Sequence, residues 1–214
     1  MISISGVNNQ TELEQLPYFN KNEAMILIGK VGRNLDAKIQ QLIKKGYLTT
    51  LKKGLYTSSV YYNLQKDKGL YLEYISNILR YPSYLSLEYV LYINNIIPEE
   101  VVTFTSVTIK TTRFFANQLG TFSYRQVKES LFCGYITKEY GSKTILIATP
   151  AKALFDYLYL KRNIRQSLIY ELQEGLRINW DEFGKNDLEE FRKYVFLSKS
   201  LKMQKILDII EKTI

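Results

Sequence analysis

The sequence contains no histidine. That absence removes His-based general acid–base catalysis, Ser-His-Asp and Cys-His machinery, and most zinc sites. It contains one cysteine, Cys133, which excludes an intrachain disulfide and a thiolate cluster and gives no argument for an oxidising compartment. Without a histidine, the Cys133 thiol would need a Lys, Arg or helix terminus to lower its pKa, and its apolar context reads as packing. No phosphate-cradling GxxxxGK[ST] or GxGxxG motif occurs. No Asp-x-Asp pair exists to hold two metals. The acidic pairs Glu99-Glu100 and Glu189-Glu190 are adjacent in sequence, so their carboxylates diverge. No uninterrupted apolar run approaches the roughly 20 residues of a membrane helix. Met1 to Gln10 lacks the basic and apolar regions of a signal peptide. These absences argue for a soluble, cytoplasmic protein that is not an enzyme, with no metal, cofactor or membrane partner expected.

What remains is ordinary in bulk and uneven in charge. The 214 residues, 46% apolar and 23% charged, suit a globular chain of one large or two small domains. Lys and Arg number 29 against 21 Asp and Glu, a net charge of +8. Residues 21–60 alone hold eight basic side chains against Glu23 and Asp36, a local excess of +6. Such a concentration points to an anionic partner, most simply nucleic acid. The plainer alternative is a solvated helix face.

Thr11 is placed to cap a short helix through Leu16, with Glu14 completing a capping box and Pro17 ending it. Asn22 is the next expected N-cap, and Gly29 stops the helix that follows. Arg33 or Asn34 opens a third helix whose Leu35, Ile39, Leu42 and Ile43 share one face; Gly46 ends it. Strands follow at Tyr47 to Leu51 and Leu55 to Ser58, with Lys52-Lys53-Gly54 as the hairpin tip. Helix, helix, turn, helix and basic hairpin is the order of a winged helix-turn-helix. Val60 to Lys68 reads as a linker. Helices are expected over Gly69 to Arg80 and Ser86 to Ile93. Strands are expected over Val101 to Lys110, Arg113 to Phe115, Gly120 to Val127, Gly134 to Tyr140 and Lys143 to Ala148. Pro150 opens another helix, through Leu160, and two or three amphipathic helices fill Ile164 to Ile214.

The outward face of the third helix mixes two chemistries. Arg, Lys, Asn and Gln reach base edges in the major groove, whereas Lys binds phosphates without reading sequence. Base reading is assigned to Arg33, Asn34, Ala37, Lys38 and Gln41, since the N-terminal part of such a helix touches the bases. Lys44 and Lys45 suit phosphates, or the negative end of the helix dipole. Lys52 and Lys53 suit backbone or minor-groove contact. Asp36 is the discordant member, read as capping or orienting Arg33. Lys110, Arg113, Arg125, Lys128 and Lys152 are candidates for a second basic surface. Leu85, Leu87, Val90, Leu91, Leu154, Phe155 and Leu158 are read as core, Gly120 and Gly134 as turn glycines, and Glu88 and Asp156 as caps or buried ion-pair partners.

A longer string of motifs carries a resemblance. Tyr84-Leu85-Ser86-Leu87-Glu88-Tyr89 leads to Ile97-Pro98-Glu99-Glu100-Val101 and then Thr103 to Lys110. Leu119-Gly120-Thr121-Phe122-Ser123-Tyr124-Arg125 and Leu131-Phe132-Cys133-Gly134-Tyr135 follow, and Ala148-Thr149-Pro150-Ala151-Lys152-Ala153-Leu154-Phe155-Asp156 closes the run. Together with Leu42-Ile43-Lys44-Lys45-Gly46-Tyr47-Leu48 and Lys53-Gly54-Leu55-Tyr56, this order resembles the AbiEi-type abortive-infection antitoxins of type IV toxin–antitoxin systems, over about residues 11–160. The resemblance implies repression of the protein's own operon at inverted repeats of double-stranded promoter DNA. It also implies neutralisation of a co-encoded nucleotidyltransferase-like toxin without a stable complex, and it supplies no catalytic residues. The expected fold is α+β. An N-terminal winged helix-turn-helix, residues 1–60, precedes a larger mixed α/β domain with a helical C-terminus, residues 66–214. A winged-helix regulator without a toxin partner and a protein-interaction module that binds no DNA are the alternatives.

Overall fold

The computed structural model describes residues 8–161, 170, 172 and 175–213. Residues 1–7, within the Met1 to Gln10 segment, lie outside the described residues, as does most of the stretch from Ile164 to Glu174 expected to be helical. The structure is α+β with two sheets. Its contacts divide into two compact units, Met1–Leu72 with Ala116–Leu119, and Glu73–Phe115 with Gly120–Ile214.

In the first unit, α1 (Asn8–Leu13), β1 (Phe19–Asn20), α2 (Lys21–Ile28), α3 (Gly32–Lys44), β2 (Leu48–Lys52), β3 (Leu55–Ser58) and α4 (Ser59–Leu64) follow one another. Helix α1 starts before Thr11, so Thr11 lies inside the helix and not at its cap. The cap of α2 is Asn20, not Asn22, because β1 ends there and leaves Asn20 in extended backbone. Asn20 Oδ1 accepts from the Asn22 and Glu23 amides at 2.8 and 3.1 Å, and Glu23 Oε2 accepts from the Asn20 amide at 2.7 Å, a complete capping box. Gly29, at φ +69°, closes α2 by donating to the Met25 carbonyl, a left-handed turn that suits glycine.

Helix α3 buries Leu35, Ile39 and Leu42 against Leu13, Phe19, Ala24 and Leu48. Each such aliphatic side chain contributes about 1.5–3 kcal/mol when removed from water. The sheet is ordered β1-β3-β2, with Phe19 opposite Tyr56 and Thr50 opposite Tyr56 on the other side. The expected linker is helical through Leu64. Ser58 Oγ accepts from the Val60 and Tyr61 amides and so caps α4, while Tyr61 and Tyr62 pack on the ring of Tyr71.

Helix α5 (Lys68–Leu79) is followed by β4 (Ser83–Leu85), α6 (Leu87–Ile93), β5 (Phe104–Thr108), β6 (Arg113–Asn117), β7 (Gly120–Gln126), β8 (Tyr135–Tyr140), β9 (Lys143–Ala148) and α7 (Pro150–Leu160). Two C-terminal helices, α8 (Lys185–Ser198) and α9 (Leu201–Thr213), come last. The six strands are ordered β6-β7-β5-β4-β9-β8. Strand β4 was not expected, yet it is central, antiparallel to β5 and parallel to β9. It is short, and Asn77 of α5 substitutes for it along β9, bonding both the amide and the carbonyl of Leu146. Gly120 opens β7 and is not a turn glycine.

Side chains alternate between the two faces of a sheet, and helices take opposite ones here. Tyr124 and Ser106 meet Ser76 of α5, whereas Tyr84 reaches Asp156 of α7. The residues read as core, from Leu85 to Leu158, are all buried. No helix among the described residues is long and apolar enough to cross a membrane. The cap assignment gives a test. Asn20→Ala should lower stability by about 1 kcal/mol, while Asn22→Ala should stay within about 0.5 kcal/mol, read from urea denaturation midpoints.

Candidate nucleic-acid interface

Packing of Leu35, Ile39 and Leu42 into the core turns the opposite side of α3 outward. Arg33, Asn34, Ala37, Gln41, Lys44 and Lys45 are all exposed. Arg33, Ala37 and Gln41 succeed one another at four-residue steps along one stripe, with Lys44 continuing it. Lys38 is half-buried, and its Nζ donates to Gln41 Oε1 at 3.4 Å. Lys45 lies just past the helix, in its C-cap. The N-terminus of α3 follows Val31, whose side chain supplies no cap. Gly32, Arg33 and Asn34 of its first turn are exposed, and the positive end of a helix suits an anion.

The hairpin tip narrows to Lys53 and Gly54. Gly54 sits at φ +77° and Lys53 is exposed, while Lys52 is half-buried within β2, opposite Leu55. Asp36 does not orient Arg33. Its Oδ1 lies 2.5 Å from Nζ of Lys21, the first residue of α2. Lys21 was not among the expected contact residues, because nothing in its local sequence links it to α3.

The five residues expected to make a second basic surface do not share one surface, because Lys152 is internal. Lys152 is fully buried. Its ammonium is bonded to Asp156 on the next turn of α7 and lies 4.9, 5.3 and 5.7 Å from the ring centres of Phe155, Tyr194 and Tyr84. Asp156 also accepts from Tyr84 Oη at 3.0 Å and Ser86 Oγ at 2.8 Å. Asp156 is thus a buried ion-pair partner. Burial pushes its carboxyl above the usual range, and the Lys152 ammonium and the hydroxyl donors pull it back only in part. Burial, with the Asp156 charge second, pushes the Tyr84 phenol up as well. Gly134, at φ +73°, seals this cage: a Cβ there would stand 2.2 Å from Tyr194 Oη.

Arg113 and Arg125 lie on opposite faces of the sheet. Phe115 packs edge-on against Tyr124, so Arg113, two residues from Phe115, shares the Tyr124 face, and Arg125 takes the other. Arg125 Nη2 donates to the Leu160 carbonyl at 3.0 Å. With Leu87, Glu88, Glu100, Val102 and Phe114, Arg125 lines an open cavity of about 410 Å³. Lys110, Arg113 and Lys128 are exposed. Cys133 is half-buried, and burial raises its thiol above the ordinary value despite the pull of Lys152, so it stays a thiol. Among the described residues, no group of three or more Cys, Asp or Glu could hold a metal ion.

Comparison with known proteins finds no family model and no curated protein that matches this chain.

The cage makes a strong expectation. Lys152→Ala should destabilise the protein by about 3–5 kcal/mol, since it strands a buried carboxyl without its partner. Alanine at exposed Lys110 or Lys128 should stay within about 0.5 kcal/mol. Thermal and urea unfolding of the three variants checks both statements.

Proposed function

We propose that this chain is a DNA-binding transcriptional autorepressor and antitoxin of the AbiEi type, acting within a type IV toxin–antitoxin system and by binding, not catalysis. In this reading the first unit is a winged helix-turn-helix, α3 is its reading helix and the β2–β3 hairpin its wing. The observation that carries it is the division of α3 into two faces. Leu35, Ile39 and Leu42 are buried, while Arg33, Asn34, Ala37, Gln41 and Lys44 are exposed on the other side. The exposed set combines residues that pair with guanine or adenine edges and cations that pair with phosphate. The uncapped N-terminus of α3 and the exposed Lys53 add groups that suit the sugar–phosphate backbone.

The protein's partners in this reading are double-stranded operator DNA, at inverted repeats in its own promoter, and a co-encoded nucleotidyltransferase-like toxin that it opposes without a stable complex. The antitoxin half rests on the motif string from Tyr84 to Asp156 and is assigned to the second unit. The place of action in this reading is the cytoplasm.

Two measurements separate the halves. Arg33→Ala and Asn34→Ala should each weaken operator binding by about 1–3 kcal/mol and relax base preference at one position. Lys53→Ala should weaken binding to all sequences alike. Normal operator binding by Arg33→Ala would sink the assignment of α3. For the second half, co-expression should restore growth to cells carrying the neighbouring toxin gene. It should still do so with Arg33→Ala, because neutralisation is assigned to the other unit.

A further inference from the structure

Residues 21–60 carry only two acidic side chains, and each has its charge answered locally. Glu23 is held in the α2 capping box by the Asn20 amide, at the positive end of that helix. Asp36 lies on α3 itself, three residues after Arg33 and next to Ala37, which is a costly place for a carboxylate in a surface that meets phosphates. Charges of like sign repel across about 10 Å at 0.1 M salt. The ammonium of Lys21 stands 2.5 Å from Asp36 Oδ1. That contact brings the start of α2 to the N-terminal third of α3, the part assigned to base reading. A lysine ammonium has three donors, and Asp36 is the one partner of Lys21 among the described residues. Both side chains keep about half of their surface exposed, 46% and 55%, so the remaining donors are open to a third group.

We propose that Lys21 contacts a backbone phosphate at the edge of the α3 interface and that Asp36 is its positioning residue. The inference rests on the DNA-binding reading above. Asp36 fixes the direction of a flexible four-carbon side chain, and Lys21 cancels the charge that would otherwise repel the duplex. The two residues therefore act as a unit. Losing Lys21 alone removes a phosphate contact and also leaves a bare carboxylate facing the DNA. Losing both removes the contact only.

The test is a double-mutant cycle on DNA affinity, with wild type, Lys21→Ala, Asp36→Ala and the double variant. Each is titrated on upstream and scrambled DNA at several salt concentrations. Lys21→Ala is expected to weaken both complexes by roughly three- to tenfold and to reduce the slope of log K against log salt by about 0.9, the signature of one phosphate. The same substitution in the Asp36→Ala background should cost clearly less. Lys21→Arg should keep the slope, and Lys21→Gln should lose it. Thermal melting should be unchanged throughout, because an exposed pair adds little to stability; this separates a lost contact from a lost fold. An unchanged salt slope for Lys21→Ala and Lys21→Gln, in a protein whose wild type binds upstream DNA, overturns this inference alone. Additive effects of the two alanines overturn the positioning role of Asp36. Failure of the wild type to bind any DNA overturns this inference together with the reading it rests on.

Discussion

The apolar stripe of α3 is the contact on which the first unit turns. Leu35, Ile39 and Leu42 enter a core that also gathers Leu13, Phe19, Ala24 and Leu48, so one helix shares its core with residues of α1, β1, α2 and β2. Rotating α3 to bury any other side would put Arg33, Lys44 or Gln41 into that core without partners, at several kcal/mol each. The orientation of the polar face is thus set by what cannot be buried as much as by what is. Arg33, Ala37 and Gln41 form a row because their helix has no other stable rotation. Position along the axis is constrained too: Gly29 in left-handed backbone ends α2, and the amides of Gly46 and Tyr47 bond back to Ile43 and Leu42 at the far end of α3.

The second unit is organised around a charge instead. Lys152 and Asp156 are a buried pair one helical turn apart. Burial of two ions is favourable only when each is well answered, and here the answers come from Phe155 on the same helix and from distant elements: Tyr84 and Ser86 from β4 and the start of α6, and Tyr194 from α8. Ser86 gives its hydroxyl to Asp156 and so supplies no cap to α6. Thr105 of β5 takes over by accepting from the Tyr89 amide at 3.0 Å. A single buried ion pair thereby dictates how a strand, two helices and a neighbouring strand are joined.

Much of the secondary structure was legible from the chain. The 3.6-residue spacing of Leu35, Ile39 and Leu42, the strands from Gly134 to Tyr140 and Lys143 to Ala148, and Pro150 at the start of α7 are local signals, and the structure has a helix, a strand pair and a helix there. Strand β4 was not legible. Its three residues are all buried, so they show no alternation, and a strand so short is fixed only by its neighbours. The choice of Asn20 over Asn22 as a cap depended on a two-residue strand pairing with β3, 35 to 37 residues away. Lys152 looked like a surface cation because a lysine on a helix usually is one. A signal was nevertheless present: Ala151, Ala153, Leu154, Phe155 and Leu158 make that helix apolar on nearly every side, which marks a buried helix. The pairing of Lys21 with Asp36 had no such local trace, since it depends on how α2 and α3 pack.

In the proposed function, the outward face of α3 reads a particular DNA sequence. The most direct measurement is a mobility-shift titration of the intact protein on its own upstream DNA and on scrambled DNA, at two salt concentrations. A sequence-reading face should give tight binding to the upstream DNA that scrambled DNA does not share, with both affinities falling as salt rises. Equal, weak and strongly salt-dependent binding to the two would contradict it, and would make the α3 face a generic polyanion surface.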